Sequence, residues 1–191
     1  MIGFSNVHKR DGARVAVEDL CMEVRPGEVV ALYGPNGSGK STSLKAVAGL
    51  VRPTSGTVTV DGETITPARC ELRRRLAYLP QRISFDDHKT VGDILPVYAG
   101  LRAVSLGSMR ERVDSMGLAG LESQPASSLS GGQAQRLALA VALAGEVDTW
   151  LLDEPTAGLD AAAADQLRTM VIEHRKSGGS VLLSSHMLSD I

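Results

Sequence analysis

The stretch Gly34-Pro35-Asn36-Gly37-Ser38-Gly39-Lys40-Ser41-Thr42 constrains this chain more than any other, because it fits GxxxxGK[ST] in the setting that gives the pattern a mechanism. The apolar run Val29-Val30-Ala31-Leu32-Tyr33 before it reads as a strand, and Ser43 to Leu50 after it reads as a helix. The glycines let the backbone bend around a phosphate chain with amide hydrogens pointing inward, and the helix start adds its partial positive charge. At these positions Lys40 would reach the β- and γ-phosphates of a nucleotide and the Ser41 hydroxyl would bind Mg²⁺.

Further along, Trp150-Leu151-Leu152 is a short apolar run that ends in Asp153-Glu154-Pro155. Two carboxylates then stand at the C-terminal tip of a strand, where open α/β sheets bind their ligands. Asp153 would contact the metal directly or through water, and Glu154 would activate or orient an attacking water. Between these elements lies Leu129-Ser130-Gly131-Gly132-Gln133. A serine hydroxyl, glycine amides and the start of a helix expected over Gln135 to Ala144 make a second anion site.

Together with Gln81 after Tyr78-Leu79-Pro80, Gly158-Leu159-Asp160 after the acidic pair, and Ser184-Ser185-His186 after Val181-Leu182-Leu183, these motifs resemble an ABC-type ATPase domain. The resemblance runs from Gly3 to His186 with the motifs in the family's order. It implies an α/β fold: a P-loop NTPase core with a parallel sheet flanked by helices, an amino-terminal antiparallel β layer and an inserted helical lobe. It implies ATP and Mg²⁺ as cofactors, with catalysis by Glu154, His186, Gln81 and Lys40. The metal would be held by Ser41, Gln81 and Asp153. Nucleotide would be held by the loop from Gly34 to Thr42 and, in a head-to-tail pair, by Ser130, Gly131, Gly132, Gln133 and Asp160 of a second ATPase subunit, identical or different. His186 resembles the switch histidine at the γ-phosphate, and Gln81 the glutamine that senses metal and water. Asp160 resembles the loop aspartate that crosses the interface, or it simply caps the helix from Ala161 to Lys176.

The chain's 191 residues, 43% hydrophobic with net charge −2, suit one domain. Its expected parts are a core with β layer over about 1–80 and 145–191 and a lobe over about 82–144. In the β layer, Ile2 to Val7, Val15 to Val17 and Leu20 to Val24 alternate as strands, and Thr57 to Val60 with Asp61-Gly62 reads as a hairpin. From Thr90 to about Gly120 the pattern turns helical, through Val91, Ile94, Leu95, Val97, Tyr98, Leu101, Met109, Val113 and Met116. These faces pack inside the lobe, and exposed residues between Gln81 and Pro96 are expected to meet a membrane partner. The charge balance is not that of a nucleic-acid binder. No run approaches the roughly 20 apolar residues of a membrane span. The implied place is the cytoplasmic face of a membrane, beside a separately encoded integral transporter subunit. Cys21 and Cys70 stand apart as buried or incidental thiols, with neither a disulfide nor a metal site expected.

The chain departs from the family pattern at three places. Asp148 and Thr149 make the run before Asp153 less apolar than usual. Asp11 occupies the position where the family stacks adenine on an aromatic ring, leaving base selectivity open, with His8 as a substitute. The chain stops at Ile191, five residues past His186, which implies a truncated carboxy-terminal end; a fragment and a natural short form both fit. Two other classes carry the same motifs. One is a soluble ABC ATPase of DNA repair, chromosome handling or translation, against which stand the roughly 90 residues between Lys40 and Ser130, too few for a long coiled coil. The other is a nucleotide-binding regulator without turnover, against which stand Glu154 and His186. Within transport, the short single domain leans toward export or envelope-maturation systems.

Overall fold

A computed structural model describes residues 1–187, in two compact units. The first comprises Met1–Gln81, Val147–Glu154 and the chain from Thr169 onward; the second comprises Arg82–Glu146 and Pro155–Arg168. The second unit therefore takes in a segment after the acidic pair that sequence patterning placed with the core.

The first unit holds two sheets. Strands β1 (Ile2–Asp11), β2 (Arg14–Val24), β4 (Ser55–Val60) and β5 (Glu63–Thr64) form an antiparallel sheet ordered β2-β1-β4-β5. Strands β3 (Val29–Tyr33), β6 (Leu76–Leu79), β7 (Thr149–Asp153) and β8 (Ser180–Ser185) form a parallel sheet ordered β3-β8-β7-β6. Strict alternation in β1 would bury residue 6, yet Val7 is the buried one. A bulge between Phe4 and Val7, with Asn6 at φ 48°, shifts the register and resolves the conflict. Helix α1 (Lys40–Val47) packs Leu44 and Val47 into a core shared with Ile2, Phe4, Leu151 and Leu182. A four-residue helix, α2 (Cys70–Arg73), leads into β6. Cys21 and Cys70 are both exposed, so neither is the buried thiol the sequence allowed.

The two central strands β7 and β8 are buried throughout. Thr149, the polar departure before Asp153, is buried without penalty because its hydroxyl bonds that of Ser180 at 3.1 Å. Trp150 on β7 stacks its indole on the His174 ring, centroids 4.0 Å apart and planes 6° apart. His174 belongs to α6 (Ala161–Lys176). Burial pushes the His174 pKa down, against the raising influence of the Asp148 backbone and charge. The folded chain thus keeps this imidazole neutral, whereas the unfolded chain takes up a proton as pH falls through about 6.5. Stability contributed by neutral His174 is complete above that pH and declines below it, until the folded pKa is reached. His174→Phe, which keeps the stack and removes the titration, should flatten the loss of urea midpoint between pH 7.5 and pH 5. An identical pH slope in both proteins would exclude His174 as a source of acid sensitivity.

The second unit is helical: α3 (Val91–Arg102), α4 (Leu106–Val113), a π-turn over Asp114–Leu118, a 3₁₀ turn over Ala126–Ser128 and α5 (Gly131–Ala142). Thr90 caps α3 in a reciprocal box with Asp93, and Ser105 caps α4. Buried Leu95, Met109, Val113, Leu118, Leu137 and Leu143 make its core. The apolar stripe expected on α3 is only partly inward. Val97 and Leu101 are 61% and 73% exposed, one turn apart on the face opposite Leu95 and Ala99. Among the described residues no helix is long and apolar enough to cross a membrane. The four residues at the chain's end lie outside the described residues.

Candidate functional site

The loop between β3 and α1 carries the first group of site residues. The helix starts at Lys40, earlier than the pattern suggested, so Lys40, Ser41 and Thr42 form its first turn and their amides lack intrahelical partners. No acidic residue stands in that turn to compete for an anion. Gly39 caps the helix at φ 94°, and a Cβ there would lie 2.3 Å from the Ala16 carbonyl oxygen, so β2 presses on the loop and only glycine fits. Lys40, a residue only 8% exposed, folds its ammonium back to donate to the carbonyls of Gly34 and Pro35 at 2.6 and 3.1 Å. Ser38 N–H closes a turn onto Pro35 O at 3.2 Å, leaving Asn36 and Gly37 at its bend.

Asp153 and Glu154 follow at the end of β7. Asp153 is fully buried, and its Oδ1 accepts from the hydroxyls of Ser41 at 2.9 Å and Ser184 at 2.6 Å. Its Oδ2 is buried with no hydrogen-bond partner among the described residues, which leaves a buried carboxylate oxygen able to take a ligand. The same charge, after burial itself, raises the Tyr78 phenol to about 12, so that group stays protonated. Glu154 lies at φ 49°, in the left-handed region that costs a residue with a Cβ about 1–2 kcal/mol. Its amide donates to Ser184 Oγ at 3.0 Å, which holds the turn. The Glu154 carboxylate is 3.2 Å from His186 Nδ1, beyond the end of β8. Ser184 thus touches both carboxylate residues and was missed as a site residue. Its signal is a small hydroxyl side chain at the tip of the neighbouring central strand, in register with Asp153. Gln81 is exposed, two residues past β6, and no hydrogen bond among the described residues ties it to Asp153 or Ser41.

The second group lies in the helical unit. Helix α5 begins at Gly131, four residues before the expected start, so Gly131 and Gly132 are its first turn and Ser130 its N-cap. Ser130 Oγ accepts from Gln133 N–H at 3.3 Å, and Gln133 Oε1 accepts from Ser130 N–H at 2.9 Å. The Ser130 hydroxyl accepts only this one bond among the described residues, which leaves its hydrogen to donate outward. A Cβ on Gly132 would lie 2.9 Å from Gly158 O, which brings the segment after the acidic pair hard against this helix. Two further contacts fasten that segment: Gln135 donates to Pro155 O at 2.9 Å and Arg136 pairs with Asp160 at 3.0 Å. Asp160 also accepts from Ala163 N–H at 2.8 Å and so caps α6.

A sequence profile of the ABC transporter family matches residues 17–157. The chain is 37% identical over 190 residues to a sulfate/thiosulfate import ATP-binding protein of Rhizobium meliloti, covering 95% of this chain and 52% of that protein. It is 36% identical over 193 residues to the Nod factor export ATP-binding protein I of Cupriavidus metallidurans, covering 97% and 62%. It thus spans little more than half the length of these curated relatives. An ATP binding subunit of an ABC transporter has the same fold, with a TM-score of 0.88 and 28% identity over 99% of this chain and 80% of that one. So does a dimeric ATP-binding cassette in a post-hydrolysis state with ADP and Pi bound, with a TM-score of 0.88 and 26% identity over 100% and 90%. A profile match over most of the chain, with relatives alike along nearly all of it, leaves one conclusion: this chain belongs to the ABC transporter family, as a nucleotide-binding domain.

Proposed function

We propose that this domain binds ATP with Mg²⁺ and hydrolyses it as one half of a head-to-tail pair, driving an integral membrane subunit from the cytoplasmic face. Asp153 carries the hydrolytic part of this reading. A fully buried carboxylate with one oxygen unpartnered, bonded through the other to the hydroxyl that follows the loop lysine, fits a divalent cation and is costly otherwise. Ser41 and Asp153 would hold that ion, and Gln81 would join them. When bound, the ion would supply positive charge against the charge that develops on the transferred phosphate.

The chain's own residues do the rest. The first-turn amides of α1 and the Lys40 ammonium receive the phosphates. Glu154 holds the attacking water, as base or by orienting it, and its strained backbone fixed by Ser184 sets the carboxylate's position. His186 steadies the Glu154 carboxylate and contacts the γ-phosphate. Ser130, Gly131, Gly132 and Gln133 of one copy cap the phosphate held by the partner's loop, and Asp160 crosses the interface. The relative from Rhizobium is named for import and that from Cupriavidus for export, so direction and cargo belong to the membrane subunit. Exposed Val97 and Leu101 extend the face assigned to that subunit.

Affinity capture from solubilised membranes, using Glu154→Gln with ATP, tests the transport reading. Recovery of an integral membrane protein that depends on ATP is the expected outcome. Recovery of ribosomes or DNA in its place overturns it in favour of a soluble ABC ATPase.

A further inference from the structure

We propose that Arg14 is the platform on which the nucleobase stacks, with its guanidinium plane doing what a ring would do. The inference rests on the loop from Gly34 to Thr42 as the nucleotide site, and goes beyond it by assigning the base side of that site.

Strand β2 runs alongside the loop. Ala16 and Val17 lie against Gly39, and Arg14 lies against Gly37, where a Cβ would fall 2.7 Å from the guanidinium nitrogen. Ser41, further along the loop, is tied instead to Asp153. With phosphates held by loop amides and Lys40, the nucleoside is left the β2 flank. Of the β2 residues beside the loop, Ala16 and Val17 offer no flat face and Arg14 does. At the hairpin tip, Asp11 faces Arg14 in register but is paired with Lys9 at 3.4 Å. His8 is engaged as acceptor from Asp19 N–H at 3.3 Å.

Arg14 is also free to serve. It is exposed and makes no ion pair among the described residues. Its contact to the loop, 3.5 Å from nitrogen to Gly37 O, is at the long limit of a hydrogen bond, so the plane turns onto a ligand at little cost. A guanidinium is planar and weakly hydrated, and stacks on aromatic faces where an ammonium does not. Such a platform accepts any purine, since every base has a π face. ATP and GTP are therefore both expected to bind, within a few-fold of each other.

Titrations of ATP, GTP and inorganic tripolyphosphate into wild-type protein, Arg14→Ala, Arg14→Lys and Arg14→Tyr test the assignment. Arg14→Ala and Arg14→Lys should both weaken ATP and GTP roughly tenfold, the scale of one lost base stack, and leave tripolyphosphate unchanged. Arg14→Tyr should retain ATP affinity, because the plane survives without the charge. Equal loss for ATP and tripolyphosphate, with rescue by Arg14→Lys, would make Arg14 a phosphate contact and overturn the proposal. Unchanged ATP affinity in Arg14→Ala also overturns it, as does loss in Tyr33→Ala alone, since Tyr33 is the exposed ring at the end of β3. If wild-type protein binds neither ATP nor tripolyphosphate, the nucleotide site itself is wrong and the Arg14 assignment falls with it.

Discussion

Glu154→Gln is expected to bind ATP as wild type does while hydrolysing it on the order of 100- to 10,000-fold more slowly, the range for loss of a positioned general base. In barrier terms this is about 3–5 kcal/mol. The exchange is nearly isosteric, and the features that place the side chain do not depend on its charge. The amide bond to Ser184 Oγ is a backbone contact, and the left-handed φ of 49° is no harder for glutamine than for glutamate. What disappears is the carboxylate's capacity to take a proton from water. Because the nucleotide then persists, the second expected signature is an ATP-dependent dimer on size exclusion, each Ser130 cap closed on the partner's phosphate. Wild-type turnover in single-turnover assays would remove Glu154 from the mechanism. Slow turnover without ATP-dependent dimers would keep Glu154 and remove the shared site.

The parts of this design that sequence made legible are those where one residue type answers one local demand. A glycine-rich loop between strand and helix, two carboxylates at a strand tip and an alternating amino-terminal stretch each announce themselves within a few residues. Patterning puts the helix starts late, at Ser43 and Gln135, because Ser41-Thr42 and Gly131-Gly132 are poor helix formers; the geometry makes them first turns, where glycine and polar residues cost least. Ser184 was silent as a functional residue because its role arises across strands, through the register that sets it beside Asp153. Val97 and Leu101 fit the helical stripe, yet a period cannot say which apolar face has a partner inside the same unit. Thr149 looked like a weakness in the strand, and only the pairing with Ser180 shows why it is tolerated.

Lys40→Ala is expected to lose most nucleotide binding at concentrations that just saturate wild type. An ammonium donating to phosphate oxygens makes charge-assisted bonds of about 1.5–3 kcal/mol each. The gain is partly offset, since the same group donates to Gly34 O and Pro35 O and would give up those bonds. A net loss of about 2–4 kcal/mol follows, roughly 30- to 1,000-fold in Kd. The buried amine also shapes the loop, so a folding defect has to be separated from a binding defect. ATP should raise the melting temperature of wild type by mass action, whereas the variant should melt cooperatively and respond only at ATP concentrations roughly 30- to 1,000-fold higher. A variant that still gains stability with ATP, at wild-type half-saturation, would show that Lys40 does not hold the phosphates. It would then leave Lys40 as a strut of the loop, tied to its own carbonyls.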